Sequence, residues 1–142
     1  MALNVAKLLN IETEERGIVF LLLVQSVFLG IFAGALDVGA NALFLEHYSA
    51  DLIPRAFMFS GVVGIVYTSL YTFFQSRMRF KAFALINLLL VILITGALWY
   101  GFRVVTGDWL VFLLFVMMGP LIIISLLGFW GTAGRYFTLR EG

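Results

Sequence analysis

The sequence predicts an all-α integral membrane protein with four transmembrane helices. Hydrophobic residues make up 63% of its 142 residues, charged residues make up 12%, and the mean hydropathy is +1.08. Soluble domains carry about 25% charged residues, so this composition is typical of a membrane protein. Four uncharged runs reach the roughly 20 residues needed to cross the hydrocarbon of a bilayer: 17–36, 56–76, 82–102 and 109–134.

Helix one is preceded by a segment that we expect to lie on the cytoplasmic surface of the membrane. Residues 1–16 hold apolar side chains around Asn4 and Lys7, a pattern that fits a short interfacial helix or, equally, a frayed tail. The acids just before Arg16 favour a helix start there. The four-helix transmembrane domain then spans 17–142, with helices at about 17–45, 54–74, 82–102 and 109–135.

Helix one carries the most informative side chains, Asp37 and Asn41. Asp37 is the only acid or base between Arg16 and Glu46. An acidic side chain at the centre of a transmembrane helix costs roughly 2.5 to 3.5 kcal/mol on insertion scales, which must be offset by a partner, by water or by function. The acid is therefore a candidate for a solute or ion pathway. The alternative is an acid near the outer interface that is solvated or caps a neighbouring helix.

Small residues lead along helix one to this polar pair. Ser26, Gly30, Gly34, Asp37 and Asn41 follow one another at spacings of four, four, three and four, so they share one helical face. Gly30 and Gly34 form a GxxxG pair, a common association face of transmembrane helices. We therefore expect Asp37 to point inward, with the two glycines beside the pathway.

Helix two begins near Pro54, because proline fits the first turn of a helix, where its missing N–H is harmless. It ends before a short basic loop that contains Arg77, Arg79 and Lys81. One interpretation of these bases is a topology anchor reinforced by anionic lipid, at about 1 kcal/mol per base. The other is a gating latch, in which an arginine pairs with acids on a neighbouring helix end as the protein changes state.

Helices three and four are bounded by aromatic residues at the outer loop, where Trp99, Tyr100 and Trp109 form the expected interfacial belt. Helix four contains Gly119 and Pro120, and since proline removes one backbone hydrogen bond we expect a kink there. Glycines at a spacing of three then leave a smooth surface on which another helix packs closely: Gly128, Gly131 and Gly134.

The basic residues outside the helices predict the orientation. Under the positive-inside rule, the side that carries more Lys and Arg faces the cytoplasm. Only Arg55 and Arg103 fall on the other side, so we expect both termini in the cytoplasm and interpret the membrane as a bacterial inner membrane. The bases of the cytoplasmic side are Lys7, Arg16, Arg77, Arg79, Lys81, Arg135 and Arg140.

Residue types that enzymes and metal sites need are scarce. The chain has no cysteine and one histidine, His47, so we expect neither a thiolate site nor a histidine metal site. No paired acids, HExxH motif or Ser/His arrangement lies within the helices. The sequence therefore predicts no enzyme activity, no metal, no cofactor and no nucleic-acid partner.

Two stretches of the chain resemble a known family. Residues 35–81, with Asp37 closing helix one and the segment from Tyr48 to Pro54 leading into helix two, look like the N-terminal part of the ATP/ADP translocase type of nucleotide transporter, a branch of the major facilitator superfamily. Residues 128–141 resemble the same family's exit from helix four. The resemblance implies about twelve helices built from three-helix inverted repeats, with helices one and four lining the cavity.

The chain departs from that family where a nucleotide would bind. In nucleotide-exchanging members, the end of helix one resembles the motif Arg-Asp-x-x-Lys-Asp, and the cations of this motif face the phosphates of the substrate. The corresponding positions here are Leu36, Asp37, Ala40 and Asn41. A phosphate site needs compensating positive charge, so ATP exchange is not carried over to this chain.

Three functions are predicted as alternatives. The first is the N-terminal portion of a secondary active transporter that moves a small polar solute by alternating access, with the bilayer and the remaining helices of a larger carrier as partners. The second is a small proton-coupled exporter of four helices, resembling the small multidrug resistance proteins and acting as a dimer. The third is a non-transporting subunit that packs against other membrane chains through its glycine faces.

Overall fold

The protein is all-helical over the residues that its structure describes. The computed structural model describes residues 16–105 and 107–138. They form four long helices, and a short 3-10 turn, Ala50–Leu52, precedes the second of them. The four are α1 (Arg16–His47), α2 (Ile53–Arg77), α3 (Phe80–Val104) and α4 (Trp109–Thr138). All four are long and apolar enough to span a membrane, which confirms the predicted number of transmembrane helices.

The helices extend further than the sequence predicted. α2 and α3 leave only Met78 and Arg79 between them, where we expected a loop over 75–81. Arg77 therefore lies in the last turn of α2, and Lys81 lies in the first turn of α3. Polar residues continue the helices here because Gln, Arg and Lys are good helix formers, so polarity alone does not end a helix.

Pro54 lies in the first turn of α2, as predicted. Two other expectations concern residues that lie outside the described ranges. The interfacial segment expected over 1–16 lies outside the described residues except for Arg16, which begins α1. The end of the 17–142 domain after Thr138 also lies outside them.

Consecutive helices run in opposite directions, so the bundle has two ends. We call one the Arg55 end, where α1 and α3 finish and α2 and α4 start. The other is the Lys81 end, where α1 and α3 start and α2 and α4 finish.

The central helix is α4, because α1, α2 and α3 each pack more extensively against it than against one another. Small residues permit this close approach. A Cβ on Gly119 would lie 3.1 Å from the Ser60 Oγ of α2, and a Cβ on Gly64 would lie 4.0 Å from the Pro120 ring. The buried apolar side chains of α4 include Leu110, Val111, Phe115, Val116, Met118, Leu121, Ile124 and Ala133.

An aromatic core occupies the Arg55 end. Phe44 of α1 is fully buried, and its ring centroid lies 4.3 Å from that of Phe115 and 5.0 Å from that of Tyr48. Phe57 of α2 meets Phe115 edge-on, with centroids 5.2 Å apart. Such pairs contribute about 0.5–1.5 kcal/mol each beyond their buried area, so α1, α2 and α4 are firmly joined here.

A smaller core lies toward the Lys81 end and does not include α1. Tyr71 of α2 and Phe83 of α3 meet edge-on with centroids 4.7 Å apart, and Ile124 of α4 completes the cluster. The only buried residues of α1 are Ala40 and Phe44. We therefore distinguish the anchored half of α1, residues 36–47, from its free half, residues 16–35, which contains no buried side chain.

Candidate functional site

Asp37 and Asn41, the two polar residues singled out on helix one, are joined by a hydrogen bond in the structure. Asn41 lies one helical turn after Asp37, and its Nδ2 donates to the Asp37 Oδ1 at 3.1 Å and to the Asp37 backbone carbonyl at 2.9 Å. The amide therefore solvates the carboxylate locally and fixes its orientation. An acid bonded in this way keeps its second oxygen available for a solute or an ion.

Asn41 also connects the pair to the central helix. Its Nδ2 lies 3.6 Å from the Met118 Sδ of α4, in a partly buried contact. Met118 is followed directly by Gly119 and Pro120. The polar pair is thus in contact with the stretch of α4 in which proline leaves one backbone carbonyl without its helical donor.

The inward direction expected for Asp37 is not found among the described helices. Asp37 is exposed, as are Gly30 and Gly34, and a Cβ on either glycine would meet no atom within 4 Å. The face that packs against α4 is the neighbouring one, which carries Ala40 and Phe44. The bulky ring of Phe44 fills the space beside α4, and the small-residue stripe is turned away from it.

The three bases expected to gate are placed differently from one another. The Arg77 guanidinium lies 4.6 Å from the centre of the Phe73 ring, a cation–π contact within α2. Arg79 precedes the first turn of α3 with extended backbone angles. Lys81 is exposed and lines a groove beside α3.

A latch at this end would need an acidic partner. The acids of residues 16–105 and 107–138 lie in the anchored half of α1 or in the loops of the Arg55 end: Asp37, Glu46, Asp51 and Asp108. The latch interpretation therefore finds no partner within the described part of the chain. The topology anchor needs none.

Pro120 is buried within α4, and the helix continues through Gly119 and Pro120 to Thr138. The kink expected at this dipeptide stays a prediction. The close helix packing expected at the later glycines is found at Gly128 and Gly131. A Cβ at Gly128 would lie 2.7 Å from the Asn87 Nδ2 of α3, and one at Gly131 would lie 3.6 Å from the Phe80 ring.

A groove that the sequence did not reveal runs between α1 and α3 over the surface of α4. It has a volume of about 990 Å³. The free half of α1 contributes one wall, through residues such as Phe28 and Phe32, and α3 contributes the other from Lys81 to Trp99. The groove exists because α1 and α3 both pack on α4 and make little contact with each other.

Two amides of this groove were missed by sequence reasoning. Asn87 Nδ2 donates to the Ile124 backbone carbonyl of α4 at 3.3 Å, and Gln25 of α1 lines the opposite wall. The signal that could have found them is their position, since each is the only amide in an otherwise apolar run. Asn87 therefore joins α3 to α4 by a hydrogen bond at the point where Gly128 permits the close approach of the two helices.

The described residues contain no group of three or more His, Cys, Asp and Glu side chains that could hold a metal ion. His47 lies at the end of α1, where its Nδ1 is 3.0 Å from the Leu43 carbonyl. His47 is therefore explained as a polar residue that ends α1.

No protein-family model matches this chain, and searches of curated proteins and of solved structures find no match either. The resemblance to the nucleotide transporters therefore stays a prediction. The polar pair of α1 and the groove beside α3 are the candidate functional features of the described residues.

Proposed function

We propose that this chain is the N-terminal transmembrane portion of a secondary active transporter that moves a small polar solute by alternating access. The observation that carries the proposal is the hydrogen-bonded pair of Asp37 and Asn41, joined through Met118 to the Gly119–Pro120 stretch of α4. Ionisable groups in membrane spans are rare and mark solute, ion or proton pathways. Here such a group is hydrogen-bonded to Asn41, and Asn41 contacts a helix segment whose backbone is weakened by proline.

The unequal packing of α1 supports alternating access. Its anchored half is fixed to α2 and α4 by the Phe44 cluster, and its free half has no buried side chain. A rigid helix held at one end is suited to rocking about that end. In this proposal the pivot lies near Phe44, and movement of α1 changes the exposure of Asp37, which lies at the boundary between the two halves.

Charge limits the class of solute. Every Lys or Arg of the described residues lies at or beyond a helix end, and none lies at the depth of Asp37. A phosphorylated solute would therefore meet a carboxylate with no compensating cation. We propose a proton, a small cation or a neutral polar molecule as the species that Asp37 and Asn41 contact.

The orientation and location follow the same line. We propose that both termini lie in the cytoplasm and that the membrane is a bacterial inner membrane, because the bases concentrate on the Lys81 end. The proposal does not depend on the direction of transport.

The test replaces the carboxylate in the intact carrier, reconstituted in vesicles that contain a pH-sensitive dye. A panel of neutral and cationic solutes is added to the vesicles, with ATP as the anionic comparison. At least one neutral or cationic solute should produce a pH change. Asp37→Asn should reduce this signal at least ten-fold with unchanged insertion. Glu46→Gln, which removes an exposed acid at the end of the same helix, should leave it unchanged.

Three outcomes would contradict the proposal. A signal that is the same in Asp37→Asn and in the unaltered carrier from pH 5 to 8 would show that the acid has no part in coupling. A signal with ATP alone would contradict the argument from charge. Failure of Asp37→Asn to insert would assign the acid a structural role instead.

One observation favours the alternatives in which other chains complete the site. The face of α1 that carries Gly30, Gly34 and Asp37 is not covered by the described helices. A second copy of the chain would cover it in the dimeric exporter, and a different membrane protein would cover it in the assembly subunit. Because the chain has no cysteine, disulfide formation by Gly34→Cys between copies would favour the exporter.

A further inference from the structure

The groove between α1 and α3 differs in character from the polar pair. Its floor is formed by α4, where Ser125, Gly128 and Thr132 face the opening. The two hydroxyls donate to backbone carbonyls one turn earlier, Ser125 to Leu121 and Thr132 to Gly128, each at 2.8 Å. A polar solute would find these donors already occupied, and a hydrocarbon chain would meet a smooth apolar surface.

The walls of the groove reinforce this preference. The Thr95 hydroxyl of α3 donates to the Val91 carbonyl at 2.8 Å, and Asn87 donates to α4 at 3.3 Å. Most of the remaining lining is aliphatic or aromatic. Lys81 is the only charged side chain that lines the groove in the described part of the chain, and it lies at one end.

The dimensions fit one acyl chain in each half. From Lys81 to Val91 the wall of α3 is about 15 Å long at 1.5 Å per residue, which is half of the roughly 30 Å hydrocarbon core. A lipid from the leaflet on the Lys81 side would therefore place its head group beside Lys81 and its chain along Ala84 and Val91. The part of the groove toward Trp99 belongs to the opposite leaflet.

We propose that this half of the groove is a binding site for an anionic phospholipid of the bilayer, with Lys81 contacting the head group and one acyl chain lying on Gly128 and Thr132. The charge of Lys81 favours an anionic head group over a zwitterionic one. The occupied hydroxyls of the floor favour a hydrocarbon chain over a polar solute. The site is independent of transport through Asp37.

A second copy of the chain is a less favourable occupant. Two copies inserted in the same orientation would bring Arg77, Arg79 and Lys81 of both molecules to the same end of the bundle. Like charges that meet across an interface oppose association. An anionic lipid neutralises the same charges.

The experiment uses the full chain in nanodiscs that contain photoreactive phosphatidylglycerol or phosphatidylcholine, each with the reactive group at mid-chain. We expect labelling of peptides from α3 and α4, with phosphatidylglycerol exceeding phosphatidylcholine about five-fold, which corresponds to about 1 kcal/mol for one base near the surface. Lys81→Gln should reduce the ratio of phosphatidylglycerol to phosphatidylcholine labelling to about one, and Lys81→Arg should keep it at about five. Arg77→Gln removes the same charge outside the groove and should change the ratio less than two-fold.

A second pair of variants tests the groove itself. Ala84→Trp narrows the groove beside Lys81 and should decrease labelling by both lipids. Leu93→Trp adds the same ring on an exposed face of α3 that does not line the groove and should leave labelling unchanged. The helical content of each variant, measured by circular dichroism, shows whether it is folded.

Three results would overturn the site. Equal loss of the lipid preference in Lys81→Gln and Arg77→Gln would show a diffuse attraction to the whole basic end. Unchanged labelling in a folded Ala84→Trp variant would place the lipid elsewhere. Efficient disulfide formation by Ala84→Cys would assign the groove to a second copy, and since the chain has no cysteine of its own this measurement has no background.

Discussion

Both halves of α1 carry large apolar side chains, but these side chains have different surroundings. In the anchored half, Ala40 is 1% exposed and Phe44 is fully buried, whereas Phe28 and Leu21 of the free half are 68% and 66% exposed. Lipid tails are as apolar as these side chains, so helices in a membrane gain little from hydrophobicity and associate through close packing. The difference between the halves is therefore one of shape: Ala40 lets α4 approach, and Phe44 fills the space beside it.

This contrast places the polar pair near the boundary between a packed and an unpacked part of α1. Asp37 and Asn41 lie at the start of the anchored half, where α1 first makes buried contacts. Toward the Lys81 end, the free half of α1 forms one wall of the groove. A side chain at such a boundary changes its surroundings when the free half moves, and one deep in the aromatic core does not.

The largest effect is expected from loss of the anchor. Phe44→Ala should lower the free energy of unfolding in mixed micelles by about 2 kcal/mol, because the cavity term of about 24 cal/mol per Å³ applies to roughly 100 Å³ of lost ring. Phe28→Ala removes the same ring from the free half and should change the free energy by less than about 0.5 kcal/mol. Denaturant titration followed by tryptophan fluorescence measures both.

The pair of phenylalanine variants can break the comparison directly. Equal destabilisation by Phe44→Ala and Phe28→Ala would mean that both halves of α1 pack against other helices in the micelle. The distinction between an anchored and a free half would then be wrong, and the rocking of α1 would lose its pivot.

The next effect concerns the point where α3 meets α4. A Cβ at Gly128 would lie 2.7 Å from the Asn87 Nδ2, so Gly128→Ala must displace the amide and its bond to Ile124, at a cost of about 1 kcal/mol. Gly96→Ala adds the same methyl on the facing wall of the groove, where no atom lies within 4 Å, and should not destabilise the protein. Thermal unfolding measures the pair.

A double-mutant cycle then isolates the contact. Asn87→Ala removes the atoms that the new methyl would meet, so Gly128→Ala should cost less in that background than in the natural one. Additive effects would show that Gly128 is needed for another reason than the approach of Asn87.

The sequence predicted those features of the fold that hydropathy and local spacing determine. Four apolar runs gave four helices, Pro54 marked the start of α2, and the spacing of four residues placed Asn41 one helical turn after Asp37. Helix ends were placed too early, because polar side chains such as Gln and Arg do not by themselves stop a helix. The residues on either side of Met78 show this.

The packed face of α1 could not be predicted in the same way. Two stripes at helical spacing run side by side, one through Gly34 and Asp37 and the other through Ala40 and Phe44. Polarity favoured the Asp37 stripe as the packed face, but membrane helices associate through close packing, and the structure packs Ala40 and Phe44 against α4. The groove was missed for a related reason, since the order of helices around α4 has no signature in hydropathy.

A smaller effect is expected at the link between the polar pair and α4. Asn41→Ala removes the bond to the Asp37 carboxylate and the contact with Met118, and polar contacts between membrane helices average about 0.6 kcal/mol. Ser26→Ala deletes a hydroxyl whose bond to Leu23 stays within α1 and should leave stability unchanged. A larger loss in Ser26→Ala than in Asn41→Ala would show that the free half carries contacts of its own.

The smallest effect is expected on the uncovered face. A Cβ at Gly34 would meet no atom within 4 Å, so Gly34→Leu should change the free energy of unfolding of the chain by less than about 0.5 kcal/mol, while Gly119→Leu, beside Ser60, should destabilise it clearly. If Gly34→Leu leaves the chain stable yet abolishes transport or assembly, another helix covers this face in the working protein. If it destabilises the chain by as much as Gly119→Leu, the face is packed within the four helices, and Asp37 is buried with it.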